Sequence, residues 1–206
     1  HAPEIVIPAE GMPAPSVGSM AILVPPGTYT VKLSVAGREF TQPLEVRKDP
    51  NSGGSLDGIR TQTAFLFEVQ GRVRSSVGMI DTIQHHRTRL SEIRTSLTTA
   101  ESNRDLRSAA DSLEQKLLGV EDQLHQLKMT GRGQDGVRWP VKLAGQLLYL
   151  AGTVAGSDEE PTTQAREVYR YLDERLAAVR REFQRVMAEM EAYQARLRAR
   201  NIISEE

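Results

Sequence analysis

The sequence predicts an α+β protein that is mainly α, in which a small β segment precedes an antiparallel helical bundle with two long helices. Two patterns along the chain lead to this prediction. Residues 1–48 contain seven of the ten prolines, and within them Thr28–Val35 alternates polar with apolar side chains, which is the period of a β-strand. Across residues 56–206, apolar side chains instead recur every three or four positions, as on one face of a helix. Residues 49–55 between them combine Asp-Pro with Gly-Gly and have the composition of a linker.

The β segment carries its strongest signal in its second half, where Thr28–Val35 alternates polar with apolar side chains. Ala36-Gly37 predicts a tight turn, because glycine adopts positive φ readily. Pro43 cannot donate to a ladder, so the returning strand is expected to be an edge strand or to bulge there. Weaker strand candidates are Glu4–Pro8 and Ser19–Pro25. The apolar positions of the hairpin are Tyr29, Val31, Leu33, Val35, Phe40, Leu44 and Val46.

These strands resemble the last strands of a fibronectin- or immunoglobulin-like sandwich. A complete sandwich needs about seven strands in roughly 100 residues, and residues 1–48 have room for about half of them. We therefore expect a truncated β segment that packs on the helices or on further chain, since an isolated hairpin is only marginally stable in water. A strand-like opening without a recognisable signal peptide also predicts that the chain is part of a longer polypeptide.

The bundle is predicted to contain helices at about 56–99, 104–128, 140–155 and 161–200. A helix of about 40 residues is about 60 Å long at a rise of 1.5 Å per residue, so the first and last helices can lie alongside each other. The two shorter helices would then cover the same length in two pieces, and the short connections favour antiparallel neighbours. Pro161 is expected in the first turn of the last helix. The acidic residues 158–160 before it suit the positive end of the helix dipole.

A structural corner is predicted where the third helix begins, within the sequence GQDGVRWPVKL at residues 133–143. An aspartate can cap a turn, a glycine lets the chain swing, and a proline can open a helix without losing a hydrogen bond. The only tryptophan of the chain would anchor the helix by burying a large apolar surface. The alternative is a surface aromatic residue that binds a partner or a sugar. The corner residues are Gln134, Asp135, Gly136, Trp139 and Pro140.

The composition excludes several classes of function. The net charge is -1, from 26 basic and 27 acidic residues, so no global field attracts nucleic acid or an anionic membrane. Aromatic residues make up 5% of the chain, too few for a large stacking platform for bases. The chain has no cysteine, which removes disulfides, thiolate nucleophiles and cysteine-ligated zinc. No apolar run approaches the roughly 18 residues of a membrane-spanning helix.

No catalytic residue, cofactor site or metal site is predicted. His85 and His86 are adjacent on a helix and point about 100° apart, so they cannot chelate one ion at the usual i, i+4 spacing, and His125 shows no carboxylate partner at ligand spacing. The glycines of residues 131–136 resemble a phosphate cradle, but they follow a helix and lack the Gly-Lys-Ser/Thr ending. Basic residues near the end of the chain are interleaved with glutamates, which indicates a solvated face laced with ion pairs.

Three short elements occur in the order found in a known family. They are Gly133-Gln134-Asp135, Trp139-Pro140-Val141-Lys142-Leu143 and Pro161-Thr162-Thr163-Gln164. With the PPGTYTV segment before them, they make residues 25–185 similar to the C-terminal region of bacterial exported proteins that carry sortilin-type β-propellers with BNR (Asp-box) repeats, often labelled glycosyl hydrolases. The chain departs from that pattern at Trp139, where a smaller aromatic residue is expected, and in its highly charged last helix. No Asp-box occurs in these 206 residues.

The resemblance implies an exported protein, periplasmic, cell-surface or extracellular, whose propeller precedes this region. Any hydrolase chemistry would belong to that propeller, because fold does not fix function. We therefore expect a non-catalytic C-terminal accessory or interaction module, whose partner is the preceding propeller of the same polypeptide or another protein. One alternative is a self-associating, coiled-coil-like scaffold, a homo-oligomer that pairs through the first and last helices. The other is a glycan-binding module centred on Trp139.

Overall fold

The computed structural model describes residues 20–97, 101–128 and 135–203. Two strands come first and five helices follow, with a 3₁₀ turn at Glu101–Asn103 before the second helix. This order confirms the predicted α+β, mainly α class. The strand predicted at Glu4–Pro8 lies outside the described residues. The elements are β1 (Gly27–Val35), β2 (Arg38–Val46), α1 (Leu56–Ser96), α2 (Arg104–Leu124), α3 (Asp135–Arg138), α4 (Leu143–Val154) and α5 (Thr163–Ala199).

Strands β1 and β2 form a two-stranded antiparallel hairpin whose register runs from Gly27 opposite Val46 to Val35 opposite Arg38. The turn residues Ala36 and Gly37 have φ of 48° and 77°, as a tight turn with two left-handed residues requires. The turn therefore falls at the predicted position. Neither strand packs against a helix. The described residues do not test the immunoglobulin-like affinity of the hairpin, which stays a prediction.

The strand predicted at Ser19–Pro25 is wrong for the part that the structure describes, because residues 20–25 are irregular. This segment lies along α1 instead. The Met20 carbonyl accepts a 3.2 Å hydrogen bond from Gln70 Nε2, and Met20 and Ile22 pack against the helical core. Burying these two side chains against α1 stabilises the segment without a strand partner, and Pro25-Pro26 could not donate to a ladder.

The helices form three columns. Helices α1 and α5 each form one column. They run parallel, because their contacts advance in the same direction: Arg72 pairs with Asp173 at 2.5 Å, and Ser75 accepts from Arg180 at 2.9 Å. Helices α2 and α4 run antiparallel to both and follow each other end to end in the third column. The predicted coverage of the long helices in two pieces is confirmed by the packing of both α2 and α4 against α1 and against α5.

The core is an apolar seam that runs the length of α1. Fully buried side chains from every column meet in it, and no described residue of this seam is aromatic except Phe65 and Tyr193. None of the helices within residues 20–97, 101–128 and 135–203 combines the length and apolar character needed to cross a membrane. Central members of the seam are Val73, Ile80, Ile83, Leu90, Leu117, Leu147, Leu176 and Leu197.

Hydroxyl caps begin both long helices. Ser55 Oγ accepts a hydrogen bond from Gly58 N at 2.9 Å, and Thr162 Oγ1 accepts one from Ala165 N at 3.1 Å. The prediction that Pro161 lies in the first turn of α5 is therefore wrong. Because the Thr162 side chain satisfies a free amide of the first turn, the helix begins at Thr163 and Pro161 is buried just before the cap.

Gly54 joins the linker to the loop before α5. A Cβ at this buried position would lie 2.0 Å from the Asp158 carbonyl oxygen and 2.9 Å from Asp158 Cβ. Real side chains do not approach so closely, so any larger residue must displace backbone. The linker and the 157–160 loop are thus in close contact beside the start of α1.

We expect Gly54→Ala to lower the free energy of unfolding by about 1 to 3 kcal/mol, the cost of overpacking a tight contact. The matched control is Gly53→Ala, whose Cβ would sit 3.6 Å from Glu159 Oε1, an ordinary contact distance. Urea unfolding of both variants checks this. Equal stability of the two variants would contradict the close approach of the linker to the 157–160 loop.

Candidate functional site

The predicted corner occupies the break in the third column. Asp135 begins α3, a single turn that ends at Arg138, and Gln134 lies outside the described residues. Trp139 follows α3 directly and is partly buried, with Lys128 Nζ 4.7 Å from its ring centroid. A cation over an aromatic face is attracted by the ring quadrupole. The roles predicted for Gln134, Asp135, Gly136 and Trp139 stay predictions.

The prediction that Pro140 opens the third helix is wrong, because α4 begins at Leu143 with Lys142 as its cap residue. The carbonyls of Pro140 and Val141 accept hydrogen bonds from glutamine side chains, Gln126 at 3.1 Å and Gln146 at 3.0 Å. These carbonyls therefore face side chains rather than helical amides. Pro140 lies exposed in an extended approach to the helix.

A cluster of polar side chains, one of them buried and four partly buried, lies between α1 and α2 next to this break. Arg87 reaches across from α1 and pairs with Glu114 at 2.9 Å and with Glu121 at 2.6 Å. Glu121 also accepts from Gln84 Nε2 at 3.0 Å and lies 3.2 Å from His125 Nε2. We call these five residues the Arg87 cluster. The Glu121 side chain is only 1% exposed, so the cluster replaces water almost completely around this carboxylate.

The partners of Glu121 decide its charge. Burial raises the pKa of this carboxyl group. Hydrogen bonds from His125 and Gln84 and the charge of Arg87 lower the pKa by more than burial raises it, so the net shift is downward from 4.5. Opposing effects act on Arg87, whose pKa burial lowers and the two glutamates raise, with a net upward shift. Both groups are therefore charged at neutral pH. A buried charge is tolerated only when it is paired and hydrogen-bonded in this way.

The sequence reasoning missed this cluster. The prediction that His125 has no carboxylate partner is wrong. Glu121 stands four residues before His125, and the two side chains meet on one face of α2. The available signals were Arg87 within the apolar stripe of α1 and Glu121 beside the buried Val120.

The remaining histidines do not extend the cluster. Burial, followed by the charge of His85, lowers the pKa of His86, so His86 is neutral at pH 7. The Nδ1 atoms of His86 and His125 are buried and have no hydrogen-bond partner among the described residues. Within the described chain, no group of three histidine, aspartate or glutamate side chains could hold a metal ion.

A cavity of about 470 Å³ lies where the hairpin joins the bundle. Leu23, Val24 and Val46 line one side, and Ile59 and Leu66 of α1 line the other. Gln62 at its edge donates to the carbonyls of Val154 and Ser157, so its polar group is engaged. The cavity is a mainly apolar recess whose walls come from different segments, and Leu23 is 83% exposed at its mouth.

The hairpin presents an apolar face that the described residues leave uncovered. Directly paired residues share a face, which places Leu33 opposite Phe40 and Tyr29 opposite Leu44. The opposite face carries threonines and the Lys32–Glu39 ion pair at 2.6 Å. We call the first surface the hairpin apolar face. Its members and their exposed fractions are Val31 50%, Leu33 58%, Val35 53%, Phe40 56% and Leu44 48%, beside the partly buried Tyr29.

We expect Glu121→Ala to lower the free energy of unfolding at pH 7 by about 3 kcal/mol, because it leaves the Arg87 charge without its most buried partner. The control is Glu189→Ala, which removes an exposed pair with Lys116 and should cost less than about 1 kcal/mol. Because the folded pKa of Glu121 is depressed, its contribution is complete above its ordinary value of 4.5 and is lost as pH falls through the folded value. Urea unfolding from pH 7 to pH 3 should therefore show the free energies of unfolding of Glu121→Ala and the unmodified chain converging. A difference that stays constant with pH would contradict the ionised cluster.

We expect Trp139→Ala to lower the free energy of unfolding by about 2 kcal/mol, since the ring loses a partly buried contact with the corner. Tyr149→Ala, at a position 77% exposed, is the matched aromatic control and should cost less than about 0.5 kcal/mol. The glycan-binding alternative predicts the reverse outcome. Under it, Trp139→Ala unfolds like the parent chain but loses retention on an immobilised glycan array.

Comparison with models of protein families, with curated proteins and with solved structures gave no match to this chain. The resemblance to exported propeller proteins, carried by the PPGTYTV segment and the short elements at residues 133–135, 139–143 and 161–164, therefore stays a prediction. The described residues show three features that bear on function. They are a paired charge cluster inside the bundle, an apolar recess where the hairpin joins the bundle and an uncovered face on the hairpin.

Proposed function

We propose that the chain is a non-catalytic interaction module, in which the helical bundle holds the hairpin out for binding to a β-structured partner. The observation that carries this proposal is the hairpin apolar face. Five large apolar side chains on it are each about half exposed, and neither strand packs against a helix. A contiguous exposed apolar patch of this kind marks interaction sites in soluble proteins.

The energetics of the hairpin support the same proposal. A two-stranded hairpin on its own is at best marginally stable, and further strands or a packing surface are needed to stabilise it. Side chains such as Leu33 and Phe40 each gain about 1.5 to 3 kcal/mol when fully buried. A partner that covers the hairpin apolar face therefore stabilises the hairpin and gains affinity from the same contacts.

The edges of the hairpin favour a partner made of strands. In a two-stranded sheet each strand has one unpaired edge, and unpaired backbone groups are a template for a further strand. On β2, Pro43 has no amide hydrogen to donate to an added strand, which leaves β1 as the better edge for addition. The partner would then extend the sheet along β1 and cover its apolar side.

The identity of the partner follows from the resemblance to exported propeller proteins. We propose that the partner is the propeller or sandwich that precedes this region in the same exported polypeptide. The bundle interior supports a non-catalytic role, since the charged groups of Arg87 and Glu121 are engaged with each other at 2.6 Å. The module would brace its neighbour rather than react with a substrate.

The test is binding between two separately expressed polypeptides, this chain and the region encoded directly before it. Calorimetry should detect association of the preceding region with the unmodified form of this chain, called the parent chain here. The association should be lost with Leu33→Lys/Phe40→Lys, which places two charges on the hairpin apolar face. The control is Thr30→Lys/Thr41→Lys on the opposite face, which should bind as the parent does. Unchanged binding by the Leu33/Phe40 variant, or no association with the parent chain, would refute the proposal.

A further inference from the structure

The outer face of α1 is a second surface without a partner among the described residues. Its exposed side chains recur with alternating steps of four and three residues over about 33 residues, which is the spacing of a coiled-coil seam of nearly five heptads. This seam points away from α2, α4 and α5, which cover the buried stripe of the same helix. We call it the outer seam of α1. It consists of Arg60, Ala64, Phe67, Gly71, Arg74, Gly78, Asp81, His85, Thr88 and Glu92.

Three features of the outer seam are unusual for a purely solvated face. Phe67 is 53% exposed. Gly71 and Gly78 have open space where a Cβ would stand, although glycine in an exposed helix costs about 1 kcal/mol relative to alanine. Arg74 and Asp81 form no ion pair with another described residue, whereas seven of the ten aspartate, glutamate and arginine side chains of α1 do.

The charges along the outer seam are self-complementary under a two-fold axis. In an antiparallel pair of helices centred near residue 76, Arg60 of one copy lies opposite Glu92 of the other, and Arg74 lies opposite Gly78. Asp81 of the second copy is then three residues, about 4.5 Å along the axis, from the Gly78 that faces Arg74. Each pair occurs twice because of the symmetry.

The sizes of the side chains complement each other in the same arrangement. Arg74 lies opposite the small Gly78 and Asp81 opposite Gly71, so each charged side chain meets a position without a Cβ. Phe67 lies opposite His85, a contact of two flat rings. A slip by one heptad in either direction takes Arg60 away from Glu92. A parallel pair in register instead places Arg74 on Arg74 and Asp81 on Asp81, which is repulsive.

We propose that two copies of the chain associate antiparallel through the outer seam of α1, with Arg74 of each copy paired to Asp81 of the other. This goes beyond the binding proposed for the hairpin, because it uses a different surface and a different partner. The outer seam contains no residue of the hairpin apolar face. The assembly would therefore present two hairpins, and bivalent binding raises the avidity for a repeated partner.

Sedimentation equilibrium of four variants tests the proposal. The parent chain should be dimeric at about 100 μM, and Arg74→Asp or Asp81→Arg alone should raise the dimer dissociation constant about tenfold or more, since like charges then face each other twice. The double variant Arg74→Asp/Asp81→Arg should associate as the parent does, because the pairs are restored with the charges exchanged. An equimolar mixture of the two single variants should form a heterodimer, since one copy then carries two aspartates and the other two arginines.

The control is Arg181→Asp, which makes the same charge change on the exposed surface of α5 and should leave the dissociation constant unchanged. Thermal melting of each variant confirms that the fold is retained, as Arg74 and Asp81 hold no ion pair among the described residues. A monomeric parent chain overturns the proposal. The proposal is also overturned if neither single variant changes the dimer dissociation constant and Arg181→Asp raises it, a result that would place the contact on α5.

Discussion

The length of α1 is the constraint on which the rest of the structure depends. This helix buries an apolar stripe from Ile59 to Leu97, a span of about 57 Å at 1.5 Å per residue. An apolar stripe of that length must be covered along its whole course, because each uncovered leucine or isoleucine forfeits about 1.5 to 3 kcal/mol. Only α5, with 37 residues, approaches the 41 residues of α1, so α2 and α4 together supply the remaining column.

The break between α2 and α4 is the cost of this division, and polar groups concentrate there. Helix α2 ends at Leu124 because His125 is extended, and the free carbonyls nearby are met by glutamine side chains. The Arg87 cluster lies directly beside the break, where Glu121 binds side chains from both α1 and α2. A buried ion pair of this kind contributes little net stability compared with apolar packing, but it accepts only one sliding register of α2 along α1.

Most of the architecture could be predicted from periodicity, because burial on one face leaves a direct record in the spacing of apolar residues. The hairpin turn at Ala36-Gly37 and the two-piece third column followed from that record and from length. Helix starts at Pro140 and Pro161 were placed wrongly, since competing caps and side-chain hydrogen bonds decide a start within two or three residues. The Glu121–His125 contact follows from the i, i+4 spacing of these two residues in one segment of the sequence. The pairing of Arg87 with Glu114 and Glu121 depends instead on which faces of α1 and α2 meet, which the sequence of one helix does not contain.

The coverage of α1 along its length places α5 parallel to it, and distances between spin labels measure this arrangement directly. The chain has no native cysteine, so labels can be placed at chosen exposed positions. Because the start of α1 lies beside the residues before α5, with 3.5 Å from a Cβ at Gly58 to Glu160 N, labels at Arg60→Cys and Glu167→Cys should be less than about 25 Å apart. Labels at Arg60→Cys and Ala195→Cys should be farther apart by roughly 20 Å or more, since residues 167 and 195 are about 42 Å apart along α5. A shorter distance to residue 195 than to residue 167 would contradict the parallel columns and the shared coverage of α1.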